Sequence, residues 1–384
     1  MEPRVSPNNS CGPLAPLAER LKGYLSRIRR RLRLWHDFLL DQDRGTGHGF
    51  ASDLPGIDRL RFARLYLGSA SLQSTRVRSV LGFHPIVTQR LARTHGLVVL
   101  SAPLCHQSPS LLKVPRFIQL RLDLGIDETS FFEALPKDRR AGIRRVLAAG
   151  FRPEYCTDPG WSEEFHDFFH RPAVRSSHGD EGYVMTSEQI RHSIAQEGAE
   201  FLRICLDSQC VAAGTAMRCG DTYQLCRPGW LHGDPAWLRR GVQVARIWFA
   251  AQRARELGCR FLALGGTPPF VDDGVFQFKF RWHPRLDMEG SRWGHHHLLM
   301  DPRHAGVQRF VRSHPLLAWD EEGRLILCAG HGPASLNLPR QLLQQLAGFW
   351  RLVSPEEAAE RRLRLGPIHG RPSGWWVPEP WCQP

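Results

Sequence analysis

The sequence predicts a mixed α/β (α+β) fold in which a mostly antiparallel sheet is flanked by helices. Three observations carry this. Residues 199–229 hold three consecutive strand-like runs, AEFLRICLD, QCVAAGTAMRCG and DTYQLCRPG, separated by tight turns at Asp207–Ser208–Gln209 and Gly220–Asp221. Residues 242–258, VQVARIWFAAQRARELG, form a long helical pattern that stops at Gly258 and leads into a strand-like RFLALGG. The 384 residues are 42% hydrophobic and 23% charged, the composition of a globular chain able to bury a core.

Taken in order, residues 1–16 are rich in Pro and Asn and are expected to fray. Residues 17–40 repeat Leu21, Tyr24, Leu25, Ile28, Leu32 and Trp35 at helical spacing with arginines between them, and read as a basic helix. Such a helix either packs on the body with a solvated arginine face or lies on a membrane or nucleic-acid surface. The Gly-rich segment 41–56 reads as a linker. Strand-like runs follow at 64–68 (RLYLG) and 96–104, with a short helix at 87–96 between them. FIQLRLDL (117–124) alternates apolar and polar residues as a half-buried strand does.

Asp127 and Thr129 are candidate caps for the next helix, and Pro136 separates it from a second one. In that second helix Ile143, Val146 and Leu147 make the buried stripe, while Lys137, Arg139, Arg140, Arg144 and Arg145 crowd the other face. That basic face is either simply solvated or turned to an anion in a cleft. Residues 161–174 read as helix and SSHGDEGY as a loop. TSEQIRHSIAQEG opens with Thr186 or Ser187 in position for a capping box. After 286 come His- and Arg-rich loops, a strand at 323–330 and a helix at 339–353. The division is a basic helix and linker (1–56), a first half-domain (57–130), a principal domain (131–285) and a C-terminal accessory region (286–384).

Charge and composition bound the function. A net charge of +13 points to an anionic partner: nucleic acid, a membrane surface, or a phosphate-bearing molecule such as coenzyme A, tRNA or a nucleotide sugar. No run of about 18 apolar residues exists to span a bilayer, and the N-terminus lacks the apolar core of a signal peptide, so the cytoplasm is the expected location. The ten cysteines include no Cys-x-x-Cys pair and read as reduced thiols. His295, His296, His297 and His304 lack metal-ligand spacing to cysteines and read as a polar loop, so no metal is expected.

GVFQFKFRW (274–282) sets the main question. Only four of the 51 basic residues are lysines, namely Lys22, Lys113, Lys137 and Lys279, and the last sits among Phe276, Phe278, Phe280 and Trp282. Read as a strand, the alternation puts the rings on one face and Gln277, Lys279 and Arg281 on the other. A strand-edge lysine whose stem packs on neighbouring rings would account for that without any chemistry. Upstream, Arg239, Arg240 and Gly241 stand where the long helix begins. A helix start there would offer free N–H groups to a phosphate, with glycine for close approach and arginine for bidentate charge.

Together these segments resemble the GNAT acyltransferase superfamily, and within it the Fem-type branch. LPKDRRAGIRRVLAAGF (135–151) is similar to the basic helix that opens such domains. WLRRGVQVARIWFAAQRARELGCRFLALGG (237–266) is similar to the donor-binding loop, helix and following strand, and DDGVFQFKFRW (272–282) to the closing G-x-x-x-F-K-x-x-[FW] element. The likeness covers about 130–285. The sequence departs from the family's Gln/Arg-x-x-Gly-x-Gly/Ala loop, since Arg240–Gly241–Val242–Gln243 keeps one glycine and has Gln243 in place of the second.

The resemblance implies a GNAT-like sheet, with 57–130 as a degenerate half in tandem. It implies acyl transfer from acyl-CoA, or from aminoacyl-tRNA, to an amine acceptor, with acyl-CoA as co-substrate and no tightly bound cofactor. It assigns Lys279 to oxyanion or leaving-phosphate stabilisation and Arg239, Arg240, Gly241 and Val242 to donor binding. Tyr223, His232 and Asp234 are candidates for proton transfer or acceptor binding, and Lys137, Arg140, Arg144, Asp180 and Glu181 for substrate contact. The competing function is a basic nucleic-acid- or membrane-binding protein on an inactive scaffold of this fold, with membrane contact through the N-terminal helix.

Overall fold

The computed structural model describes residues 36–43, 49–54, 56–68, 72–79, 85–101, 111–125, 127–179, 182–292, 294–332, 335–336, 338–353, 357 and 376–378. In chain order the first elements are β1 (His36–Asp43), β2 (Gly49–Ser52), α1 (Gly56–Leu67), β3 (Leu72–Ser79), α2 (Pro85–His95), β4 (Leu97–Leu100), β5 (Leu111–Pro115) and β6 (Ile118–Asp123). Then come α3 (Glu128–Ala134), α4 (Lys137–Ala148) and β7 (Arg152–Cys156). A composite helix α5 follows, made of Ser162–Glu164, a π-helical turn Phe165–His170, and Arg171–His178. Next are α6 (Ser187–Ile194), β8 (Ala199–Leu206), β9 (Gln209–Cys219), β10 (Thr222–Trp230), α7 (Pro235–Arg240), α8 (Val242–Glu256), β11 (Phe261–Thr267) and α9 (Gly274–Phe280). The last are β12 (Arg285–Asp287), β13 (His295–Met300), α10 (Ala305–Ser313), β14 (Leu316–Trp319), β15 (Leu325–Ala329), α11 (Arg340–Leu343), β16 (Phe349–Leu352) and β17 (Trp376–Pro378).

The fold is mixed α/β, with two sheets flanked by helices. The seven-stranded sheet runs β12-β6-β11-β10-β9-β8-β7 and the ten-stranded one β17-β16-β15-β14-β5-β13-β4-β2-β1-β3. In the smaller sheet every neighbouring pair is antiparallel except β10–β11, whose parallel pairing needs the crossover through α7 and α8. The β8–β9 hairpin turns on Asp207 and Ser208, with φ of 49° and 64°, the two-residue left-handed turn that matches strand twist. Thr186 and Gln189 make the expected capping box on α6, and Asp127 caps α3 through the Ser130 amide.

The sheets cross the chain divisions read from sequence. β6 leaves the 57–130 segment to pair with β11 and β12, while β4 and β5 pair with β13 from beyond residue 286. β14 and β15 are buried on both faces: Leu317, Trp319, Leu325 and Leu327 join the core of the small sheet, and Leu316, Ala318, Ile326 and Cys328 that of the large one. β14 and β15 are therefore part of the structural interior.

Several local expectations are corrected. Residues 36–43 form β1, so the basic helix cannot continue to residue 40; residues 17–35 lie outside the described residues. β1 and β2 take up 41–43 and 49–52 of the expected linker, held together by antiparallel pairing from Leu39–Ser52 to Gln42–Gly49. RLYLG belongs to helix α1, where Phe62, Ala63, Tyr66 and Leu67 recur one turn apart on the buried side. The histidine run is strand β13 rather than a loop, and burial pushes His296 down to about 4 and His297 to about 3. The helix expected at 339–353 is only α11; the chain turns at Gly348, whose carbonyl accepts from the Leu327 amide, and continues as β16. GVFQFKFRW is helix α9, not a strand. Asp273 caps it, accepting from the Val275 and Phe276 amides, and Phe276 and Phe280 stack at i,i+4 with centroids 5.4 Å apart.

Candidate functional site

The site forms where two parallel strands part. β10 and β11 pair only over Thr222–Gln224 with Phe261–Ala263. Immediately beyond, β10 bulges against β9 between Leu225 and Pro228, and β11 bulges against β6 between Ala263 and Gly266. Bulges bend strands and re-aim what they carry. Gly265, at φ +75°, makes the bend in β11, and a Cβ there would lie 3.0 Å from the Leu225 carbonyl oxygen.

Lys279 is brought to this bend by α9. Phe276 and Phe280 anchor one side of the helix in the core, and Trp282 is buried just beyond its end. The half-buried Lys279 side chain then reaches β11, where Nζ donates to the carbonyl oxygens of Gly265 (3.0 Å) and Gly266 (2.8 Å). Burial, followed by the charge of Arg246, lowers Lys279 from 10.5 to about 7, against a smaller opposing pull from Asp273. An amine holding two carbonyls has a third position left, which is an N–H when charged and a lone pair when neutral. Near neutral pH both forms are populated.

Arg246 is a residue near this bend that reading the sequence did not single out. It stands on the buried side of α8 with Val242, Ala245, Phe249 and Ala250, and is only 5% exposed. Its Nε donates to Gln243 Oε1 at 3.0 Å, while its Nη1 and Gln243 Nε2 are buried without a hydrogen-bond partner. Burial lowers its pKa to about 10. The signal was present in the sequence: a charge inside an apolar helical stripe.

The structure divides the other candidates. Arg239 and Arg240 are exposed at the end of α7, with Arg240 over the Trp237 ring at 4.8 Å. Gly241 joins α7 to α8 at φ +94°, and a Cβ there would come within 2.9 Å of Val146 on α4. Val242 is fully buried, so its side chain is core; only its backbone belongs to the helix start. Asp234 is the N-cap of α7, accepting from the Ala236 amide at 2.8 Å, and exposed His232 sits at φ 54° with its ring 5.9 Å from Phe168. Tyr223 is fully buried, and its hydroxyl donates to Glu200 at 2.8 Å, which in turn accepts from Arg253 Nε and Nη2 at 3.0 and 2.9 Å. Burial and the Glu200 charge push Tyr223 well above its ordinary value, and its hydroxyl is held within a core network.

On α4, Lys137 and Arg144 are exposed, Arg144 lying over Phe132 at 5.3 Å, and Arg140 is half-buried with Nε unpartnered. Arg139, paired with Asp138, reaches over Phe278 of α9 at 5.9 Å, so the basic helix borders the element that carries Lys279. Asp180 and Glu181 lie outside the described residues. Among the described residues no group of three or more His, Cys, Asp or Glu side chains could hold a metal ion, and no helix is long and apolar enough to cross a membrane.

No protein-family model matches the sequence, and no curated protein matches it either. Solved structures similar to the chain include the C-terminal (DUF2156) domain of a putative lysylphosphatidylglycerol synthetase from Agrobacterium fabrum, 14% identical, covering 68% of this chain and 79% of that one, with a TM-score of 0.34. They also include FemX, at 10% identity, 69% and 84% coverage and a TM-score of 0.38. A GCN5-related N-acetyltransferase from Kribbella flavida is 16% identical, with 57% and 77% coverage and a TM-score of 0.28. Overlaps this loose carry no chemistry from one chain to another.

Proposed function

We propose that this protein is an N-acyltransferase that moves an acyl group from acyl-CoA, or from aminoacyl-tRNA, to an amine. The observation behind the reading is Lys279, a half-buried amine fixed on two backbone carbonyls at the parting of β10 and β11, with its pKa at about 7. Acyl transfer to an amine needs two things from such a group. When charged, its free N–H can stabilise the oxyanion formed as the amine attacks the acyl carbon. When neutral, it can accept the proton that the attacking nitrogen must lose. The C–N bond forms, the C–S bond of a thioester or the C–O bond of an ester breaks, and the proton passes through Lys279 to the departing thiolate or alkoxide. No covalent nucleophile is required, because the donor is already activated.

Donor phosphates would be met at the start of α8 by backbone N–H groups beyond Gly241 and by the exposed Arg239 and Arg240. The test is thermal stabilisation by acetyl-CoA and by aminoacyl-tRNA, followed by transfer of the labelled acyl group to a panel of amines. One donor should stabilise the protein, and Arg240→Ala should weaken that effect. Lys279→Arg, which cannot deprotonate and is too broad for the two-carbonyl seat, should lower turnover about 10²–10⁴-fold. Full turnover in Lys279→Arg would end the role assigned to Lys279. Salt-sensitive tRNA or DNA binding with no transfer from either donor would favour the competing reading of a basic binding protein.

A further inference from the structure

Arg246 presents a problem of charge. A guanidinium this buried ordinarily has a carboxylate beside it, because an uncompensated interior charge costs several kcal/mol. No ion pair joins Arg246 to any carboxylate among the described residues. Its one hydrogen-bonded partner is the neutral Gln243, and the acidic groups close enough to act on it are the Cys226 thiol and the Tyr223 phenol. Burial pushes both of those up, so they are neutral and supply no counter-charge. Lys279, the next nearby charge, has the same sign and is depressed by Arg246.

The surroundings also make room for the guanidinium. Gly214 of β9 lies under it, and a Cβ there would stand 3.3 Å from Nη1 and 3.0 Å from the Arg227 carbonyl oxygen. What remains around the bulged segment of β10 is a pair of unspent donors, Arg246 Nη1 and Gln243 Nε2. A buried cation and an amide held this way are complementary to one kind of group.

We infer that Arg246 and Gln243, beside Lys279, form a subsite for an oxyanion group, carboxylate or phosphate, carried by a substrate. The acyl-transfer reading needs Lys279 to act on a reacting carbonyl, whereas this subsite needs only binding. The two therefore stand or fall separately.

The experiment is thermal unfolding of the full chain in inorganic phosphate, in acetate, and in chloride at matched ionic strength. Phosphate or acetate should raise Tm by about 2 °C at tenfold excess over its Kd, the shift expected for a single site in a chain of this size. Chloride should not. Which of the two anions acts distinguishes a phosphate group from a carboxylate. Arg246→Met should lose the response. Gln243→Glu places a carboxylate beside Arg246 permanently, so it should raise Tm without added anion and also lose the response. Arg191→Gln, which removes an exposed charge on α6, should respond as the wild type does.

Absence of a response to both anions in the wild type would overturn the inference, as would an undiminished response in Gln243→Glu. Should Arg246→Met fail to fold, Gln243→Glu decides alone. An anion response without acyl transfer would leave the subsite standing and remove the proposed activity. Transfer without an anion response would do the reverse.

Discussion

Replacing Lys279 with methionine separates the cost of its charge from the worth of its hydrogen bonds. In the folded chain Lys279 titrates at about 7, against 10.5 for an ordinary lysine. The unfolded chain therefore holds the extra proton between these values, and folding stability gains as pH rises through that window. Below pH 7 the full penalty is present, with an upper bound of roughly 5 kcal/mol because the side chain is half-buried rather than sealed. Against it stand the two bonds to Gly265 and Gly266, worth roughly 1 kcal/mol each. Lys279→Met should thus be more stable than wild type by about 2–3 kcal/mol at pH 6. By pH 10.5 the charge penalty has gone and the variant should be the weaker by about 2 kcal/mol. Urea unfolding of both proteins at pH 6, 8 and 10 gives the difference directly. The chain has four lysines, so ε-methylene carbon signals from labelled lysine also report Lys279 itself. A Lys279 signal titrating near 10.5, or a stability difference that does not change sign with pH, would refute the reasoning.

Other expectations follow from the same contacts. Glu200→Gln should cost about 1–3 kcal/mol in urea unfolding, because it removes the buried carboxylate that Arg253 and Tyr223 share and leaves Arg253 only the exposed Glu256. Tyr223→Phe, which removes one hydroxyl from that network, should cost about 1 kcal/mol and leave turnover intact; loss of kcat with stability preserved would restore Tyr223 as a catalytic group. Gly229→Ala should cost at least about 2 kcal/mol, since its Cβ would lie 2.6 Å from the Phe169 carbonyl carbon and 2.8 Å from the His170 nitrogen in the π-helical turn of α5. A Gly229→Ala protein with wild-type Tm would show that this contact gives way freely.

Much of the central sheet was legible locally. The strands and turns of 199–229, the helix 242–256 and the strand after it, and the caps at Asp127 and Thr186 all follow from side-chain period and turn chemistry that operate within a few residues. The place of Arg239, Arg240 and Gly241 at the start of the long helix was legible on the same grounds, while the left-handed turn at Gly241 was not read. GVFQFKFRW was not, because rings at 276, 278, 280 and 282 satisfy a period of two while 276 and 280 also satisfy one helical turn. A run of seven residues is too short to separate those patterns. Burial of Phe276, Phe280 and Trp282, with Asp273 capping the turn, decided for helix and so set where Lys279 points.

The large sheet was hidden for a different reason. β13 finds β4 and β5 across nearly two hundred residues of chain, and pairing at that distance leaves no local trace. The sequence by itself determined the residue types available: arginines at a helix start, a solitary lysine, and an arginine among apolar neighbours. The packing of the folded chain alone brings half-buried Lys279 and buried Arg246 to the same bulged stretch of β10. Burial without a counter-charge is a property of the packed surroundings, and the proposed subsite rests on it.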